Sequence, residues 1–296
     1  MIDNQTRKIA LITGASRGLG KFSAKRFWDE GYDLFLVAQN KSKLNSIKTE
    51  FLNEQKQKQK QKLVLYTCDL ANTENIAQLT LTFKNEFSHL NVLINNAAIQ
   101  GPIGPFLNND FLSWEETFKI NFLAPAFLSK SMIPFMKNLS NASIINLSGG
   151  GASSPRPNFS AYACSKTALV RFSETLAMEL EVFGIRVNCV APGAMSTDMM
   201  SEIFDKGEIN SGEKEYAVAS KTLKDGGASM DNVANLLIFL SSNSGKDITG
   251  KLISAVWDNW GNWLNHLDQL NSSDIYTLRR ITGKDRDIDW GDKNDI

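Results

Sequence analysis

Seven short apolar runs, at residues 9–12, 33–38, 63–66, 92–94, 143–147, 185–190 and 252–256, are separated by stretches with helical character. A strand with one wet face alternates apolar and polar residues, whereas a run that is apolar throughout must be covered on both faces. Such strands alternating with helices predict an α/β fold of three layers, a seven-stranded doubly wound parallel sheet with helices on both faces.

The chain of 296 residues is long enough to bury one large core. No linker or internal repeat divides residues 1–256, which read as one domain. The extension at 257–296 is first tryptophan-rich (Trp257, Trp260, Trp263) and then charged. Its aromatic half needs a surface to pack on, on this subunit or a neighbouring one. Acidic and basic residues balance at 32 each, so no global field draws the chain to nucleic acid or to a membrane, and a small-molecule partner is the default. Cys68, Cys164 and Cys189 are odd in number and scattered, which points to a reducing compartment and so to the cytoplasm. Residues 1–5 lack a basic flank leading into an apolar stretch, and no run approaches the ~20 apolar residues of a membrane span, so neither export nor anchoring is expected. The glutamine and lysine run at 55–62 has no apolar face and reads as the solvated end of a helix. His89 and His266 belong to no ligand cluster, so no metal is expected.

The first strand ends in Thr13-Gly14-Ala15-Ser16-Arg17-Gly18-Leu19-Gly20, and a helix-compatible stretch follows through Glu30. Gly14 falls where the strand must turn sharply, and Gly18 and Gly20 let the backbone approach a ligand and let helix and strand pack. The N–H groups at the helix start, with the helix dipole, suit a pyrophosphate. A glycine triplet alone is an ordinary turn; between strand and helix it points to a dinucleotide and a Rossmann fold.

Together with Asn95-Asn96-Ala97-Ala98 and Tyr162-Ala163-Cys164-Ser165-Lys166, this turn makes residues 6–256 resemble the short-chain dehydrogenase/reductase family. The resemblance implies an NAD(P)(H)-dependent oxidoreductase that transfers a hydride between nicotinamide and a carbonyl or secondary alcohol. By that likeness Gly14, Ser16, Arg17, Gly18, Leu19 and Gly20 hold the cofactor's phosphates. Asp69 and Leu70 lie at its adenine edge, Asn95 supports the sheet beside it, and Ala97 borders it. Pro192, Gly193 and Thr197 wrap the nicotinamide carboxamide. Residues 198–229, with Met199, Met200, Ile203 and Phe204, resemble a substrate lid. Relatives assemble as homo-tetramers or homo-dimers, so a homo-oligomer is expected.

Tyr162 and Lys166 are four residues apart in a helix-forming stretch, on one helix face. The ammonium is expected to stabilise the phenolate and bring the tyrosine towards the working pH as acid/base. The resemblance gives Lys166 the nicotinamide ribose as well, and it makes Asn121 an amide that bends its helix and holds a water relaying protons to the lysine. It also implies a substrate-orienting serine at the place of Gly149. One extra residue in the glycine run would restore Ser148 to that role, so Ser148 is the choice, with Ser153 and Ser154 in reserve. At the end of the second strand Ala38 and Gln39 stand where an NAD enzyme has a carboxylate, and Arg17 offers a guanidinium, so NADP(H) is favoured over NAD(H). A sugar-nucleotide epimerase or dehydratase of the same superfamily, and a non-catalytic dinucleotide sensor, remain alternatives.

Overall fold

A computed structural model describes residues 7–53 and 61–291. Strand β1 (Ile9–Thr13) is buried at every position, with Ile9 and Leu11 entering one core and Ala10 and Ile12 the other. Strand β2 (Asp33–Ala38) divides in the same way, Phe35 and Val37 against Leu34 and Leu36. Successive side chains point to opposite faces, so a strand apolar at both parities is held only between two helical layers.

Strands β3 (Leu63–Thr67), β4 (Val92–Asn95), β5 (Ala142–Leu147), β6 (Ile185–Ala191) and β7 (Leu252–Ser254) complete the sheet. The order is β3-β2-β1-β4-β5-β6-β7, and every pairing is parallel. This is the seven-stranded Rossmann arrangement that the sequence predicts. Its order reverses between β1 and β4, and the crevice opens where their carboxyl ends diverge. Strand β7 stops short of the predicted Val256 because the chain turns at its end. There Asp258 Oδ2 accepts from Ser254 N at 2.7 Å, and Ser254 Oγ accepts from the amides of Val256 and Trp257.

One face is covered by α1 (Gly18–Asp29), α2 (Lys41–Asn53) and α10 (Met230–Ser241), through residues such as Phe27, Ile47 and Leu237. The other is covered by α3 (Thr73–Glu86), α5 (Ala124–Met136) and α6 (Ser160–Glu179), through Phe83, Leu128 and Leu176. Helix α4 (Phe111–Phe118) runs into α5 through one wider π turn, Lys119–Leu123. Helices α7 (Asp198–Asp205), α8 (Gly207–Ser211) and α9 (Glu213–Asp225) occupy the predicted lid segment. Ile203 and Ala219 from this group pack on Ile103, Phe159 and Tyr162, and Phe204 stacks on Tyr216 with ring centroids 5.1 Å apart.

The start of the extension packs on the same chain. Trp263 is buried in the core beneath α1, α2 and α10 with its ring centroid 4.4 Å from that of Tyr276, and Leu270 of α11 (Leu267–Asn271) is buried in the same core. Further along, Tyr276 O accepts from Leu252 N at 2.8 Å and Glu174 Oε1 accepts from Leu278 N at 2.6 Å, which ties the extension to β7 and α6. Most of the glutamine and lysine run lies outside the described residues; of its end, Gln61 Nε2 donates to Trp28 O and Tyr32 O. No helix among the described residues is long and apolar enough to cross a membrane.

Candidate active site

The glycine turn is held by contacts that leave no room for a side chain at Gly14 or Gly20. Gly14 takes φ +65°, and a Cβ on it would lie 2.9 Å from Ala97 Cα. A Cβ on Gly20 would overlap Gly14 O and come within 2.5 Å of Asn96 Nδ2. Asn96 donates from Nδ2 to Thr13 O at 2.9 Å, while Thr13 Oγ1 accepts from the amides of Asn96 and Ala97 at 3.0 Å each. The turn is thereby tied across the crevice to the end of β4. Helix α1 has no side-chain cap and no acidic residue in its first turn, so its leading N–H groups are left for an anion. A Cβ on Gly18 would meet nothing nearer than Thr197 Cγ2, at 3.5 Å. An uncapped helix start behind a slot of bare backbone fits a dinucleotide pyrophosphate.

A cleft of about 600 Å³ runs from this turn to Tyr162. Gly14, Ser16, Gly18, Leu19 and Gly20 line it, as do Gln39, Asp69, Leu70 and Ala97, with Pro192 and Thr197 across from the turn. Asp69 Oδ1 accepts from Ala71 N at 3.0 Å, and the cap of α3 is Asn72, whose Oδ1 accepts from Glu74 N at 2.8 Å. Two predicted cofactor residues fall elsewhere. Asn95 is buried, donating from Nδ2 to Asn146 Oδ1 at 2.8 Å, because adjacent strand residues face opposite ways and it is Asn96 that reaches the cleft. Gly193, at φ +84°, packs against Val256 and Ala228 and shapes the turn without lining the cleft.

Arg17 lines the cleft, and it is ion-paired with Asp198 at the start of α7, a partner the sequence did not indicate. The pair joins the glycine turn to the lid segment. Near Gln39 the sequence reading missed Asn40 and Lys43. Asn40 Oδ1 accepts from Lys43 N at 2.9 Å in the first turn of α2, and the Lys43 side chain is exposed at the cleft. The signal was present as a lysine four residues after Gln39, in the first turn of the helix that follows it.

Tyr162 and Lys166 lie buried on one face of α6, with Lys166 Nζ 5.7 Å from the tyrosine ring centroid and donating to Leu147 O at 2.7 Å. Asn121 is central to the π turn. Its Nδ2 donates to Ile99 O at 2.9 Å and to Ser165 Oγ at 3.2 Å, and its Oδ1 accepts from Ile99 N at 2.9 Å. The amide therefore ties the π turn to the loop after β4 and reaches the residue next to Lys166; it does not cap a helix. Burial pulls the Lys166 ammonium down to about 8. Burial also pushes the Tyr162 phenol up, and the charge that draws it back is Arg156, where the sequence pointed to Lys166 alone.

Ser148 lines the cleft and is buried, but its Oγ has no hydrogen-bond partner in the protein. The residue against the tyrosine hydroxyl is Gly149, on which a Cβ would overlap Tyr162 Oη and lie 3.0 Å from Cζ. Ser153 and Ser154 are exposed and outside the cleft lining.

A family profile described as short chain dehydrogenase matches residues 8–208. The chain belongs to the short-chain dehydrogenase family. Among curated relatives it is similar to dehydrogenase/reductase SDR family member 4 of Caenorhabditis elegans, 30% identical over 247 residues that cover 83% of this chain and 92% of that one. It is also similar to 2,3-dihydro-2,3-dihydroxybenzoate dehydrogenase of Bacillus subtilis (strain 168), 28% identical over 247 residues, 82% of this chain and 92% of the relative. A solved structure of YwfH, described as an NADPH dependent reductase involved in bacilysin biosynthesis, superposes with a TM-score of 0.75 at 26% identity, covering 84% of this chain and 97% of that one. Membership makes this short-chain dehydrogenase an oxidoreductase of small molecules that works with a nicotinamide cofactor.

Proposed function

We propose that this short-chain dehydrogenase is a carbonyl reductase and alcohol dehydrogenase that uses NADP(H), with Tyr162 as its acid/base. The observation that carries the reading is the pairing of Tyr162 with Lys166, buried on one helix face at the end of a cleft that begins at the bare start of α1. The nicotinamide supplies the hydride in reduction and accepts it in oxidation. Tyr162 Oη gives its proton to the carbonyl oxygen in the first direction and takes the hydroxyl proton in the second. Lys166 keeps a positive charge beside the phenol and holds the cofactor ribose. Asn121, fixed by Ile99, orders the path by which a proton reaches Lys166. The unpartnered hydroxyl of Ser148 serves the ligand, since a buried hydroxyl left without a partner is unfavourable.

The preference for NADP(H) rests on Lys43, on Arg17 and on the absence of an acid at Ala38 and Gln39. A 2′-phosphate beside Lys43 gains a cation, and it competes with Asp198 for Arg17. Ile99, Ile120, Met195 and Met199 give the catalytic end an apolar lining, which suits a carbonyl compound with an apolar body. The reading is tested by following NADPH and NADH consumption over a panel of aldehydes and ketones. NADPH should be consumed, and Tyr162→Phe should cut turnover at least about a thousandfold while NADPH still binds. Cofactor binding without turnover across the panel, or near-normal turnover by Tyr162→Phe, would contradict it.

A further inference from the structure

Two cations stand near the Tyr162 ring. Lys166 Nζ is 5.7 Å from its centroid, and the Arg156 guanidinium carbon is closer, at 5.4 Å. Arg156 comes from the segment between β5 and α6. It lies 3.9 Å over the Phe159 ring, its side chain is only 11% exposed, and its Nη2 donates to Glu215 Oε2 of α9 at 2.7 Å. A guanidinium buried to this degree, with one carboxylate partner from another element, is costly to maintain without a use.

The neighbouring glycines make room for it. A Cβ on Gly151 would lie 3.0 Å from Arg156 Cβ and 2.8 Å from Ala163 Cβ, and one on Gly149 would overlap Tyr162 Oη. The bare backbone that admits Arg156 also leaves the tyrosine without a serine hydroxyl, since Ser148 Oγ does not bond to it.

We infer that Arg156 is a positioning residue for Tyr162: its buried guanidinium stabilises the ionised phenol, and Glu215 sets how much of that charge the tyrosine feels. The inference rests on Tyr162 as the proton-transfer group. In alcohol oxidation Tyr162 Oη, as phenolate, accepts the hydroxyl proton while the carbinol hydride leaves for the oxidised nicotinamide, so a cation that favours phenolate favours this step. Of the other charges on elements packed against Tyr162, Lys166 is on its own helix, Asp198 and Glu202 of α7 are gathered around Arg17, and Asp205 of α7 with Glu213, Lys214, Lys221, Lys224 and Asp225 of α9 are exposed to solvent. The segment around Ile103, residues 100–104, carries none. Arg156 is the cation whose field opposes the upward push of burial on the phenol.

The ionisation of Tyr162 can be read without a known substrate. The chain has five tyrosines, and the ultraviolet phenolate titration of the NADP⁺-bound enzyme minus that of its Tyr162→Phe variant isolates this one. Arg156→Met should move the transition to higher pH and Glu215→Gln to lower pH, with Arg156→Lys close to wild type. Both of the first two variants break the same ion pair, so structural damage alone would move them together. Opposite shifts support the inference; shifts in one direction, or none, overturn it. Should Arg156→Met fail to fold, Glu215→Gln decides, because it leaves Arg156 in place and must shift the transition down. Where the carbonyl panel yields a substrate, oxidation of its alcohol at neutral pH should fall at least about tenfold in Arg156→Met. If Tyr162→Phe keeps its turnover, the acid/base reading fails. If that variant is inactive while the titrations do not separate, only the role of Arg156 fails.

Discussion

At the glycine-turn end of the cleft, shape is set by backbone against backbone: Gly20 on Gly14 O, Gly14 on Ala97, and an α1 start that no side chain caps. At the Tyr162 end it is set by charged side chains drawn from separate elements, buried Lys166 from α6, and half-buried Arg156 from the preceding segment and Glu215 from α9. The first end tolerates no added atom at Gly14 or Gly20, and it meets charge with backbone N–H groups. The second is an arrangement of fields, in which a substitution that preserves shape can still change the chemistry.

That contrast is broken most directly at Gly20. Gly20→Ala should weaken NADPH binding by more than about a hundredfold, or unfold the turn, because its new methyl meets backbone that cannot move aside. Fluorescence titration and a thermal melt check both forms of the loss. Gly149→Ser probes the other end. Its side chain must displace Tyr162 Oη, so kcat should fall about tenfold or more with NADPH affinity kept. A faster enzyme would mean that the tyrosine has room to accept a hydroxyl neighbour after all.

Lys43→Ala should weaken NADPH about tenfold and NADH hardly at all, as a lost phosphate contact requires; equal effects on both would sever Lys43 from cofactor choice. The smallest effect is on stability. Lys166 holds its proton to about pH 8 when folded and to 10.5 when unfolded, so the unfolded chain binds more protons between those values. Stability of the cofactor-free protein should therefore rise as pH climbs through that window, and the full penalty persists below it. Lys166→Met removes the buried charge but leaves Leu147 O without its donor. It should stabilise the cofactor-free protein at neutral pH by on the order of 1 kcal/mol and flatten the rise, measured by denaturant unfolding across pH.

The backbone end was legible in the sequence because its signals are local: an apolar run, a glycine turn and a helix lie within about twenty consecutive residues. That Asn96 rather than Asn95 reaches the cleft was hidden because two adjacent asparagines look alike until the end of β4 sends one inward and the other to the cleft. Lys43 was missed because a lone lysine in a helix's first turn is usually solvated surface. At the catalytic end, Tyr162 and Lys166 were visible as an i, i+4 pair, but nothing in the order of residues joins Arg156 to Glu215, 59 positions away.

The sequence by itself determined the sheet, its two apolar cores, the turn and the Tyr162–Lys166 face, since each follows from hydrophobic periodicity or from spacing within one element. Only the tertiary structure decided which asparagine faces the cleft, that Arg17 is engaged by Asp198, that Gly149 rather than a serine meets the tyrosine, and that Arg156 stands over its ring. The reason is physical. Burial and charge–charge distance depend on elements brought together from far apart in the chain, and the ionisation of a buried group follows those distances rather than the residue's own identity.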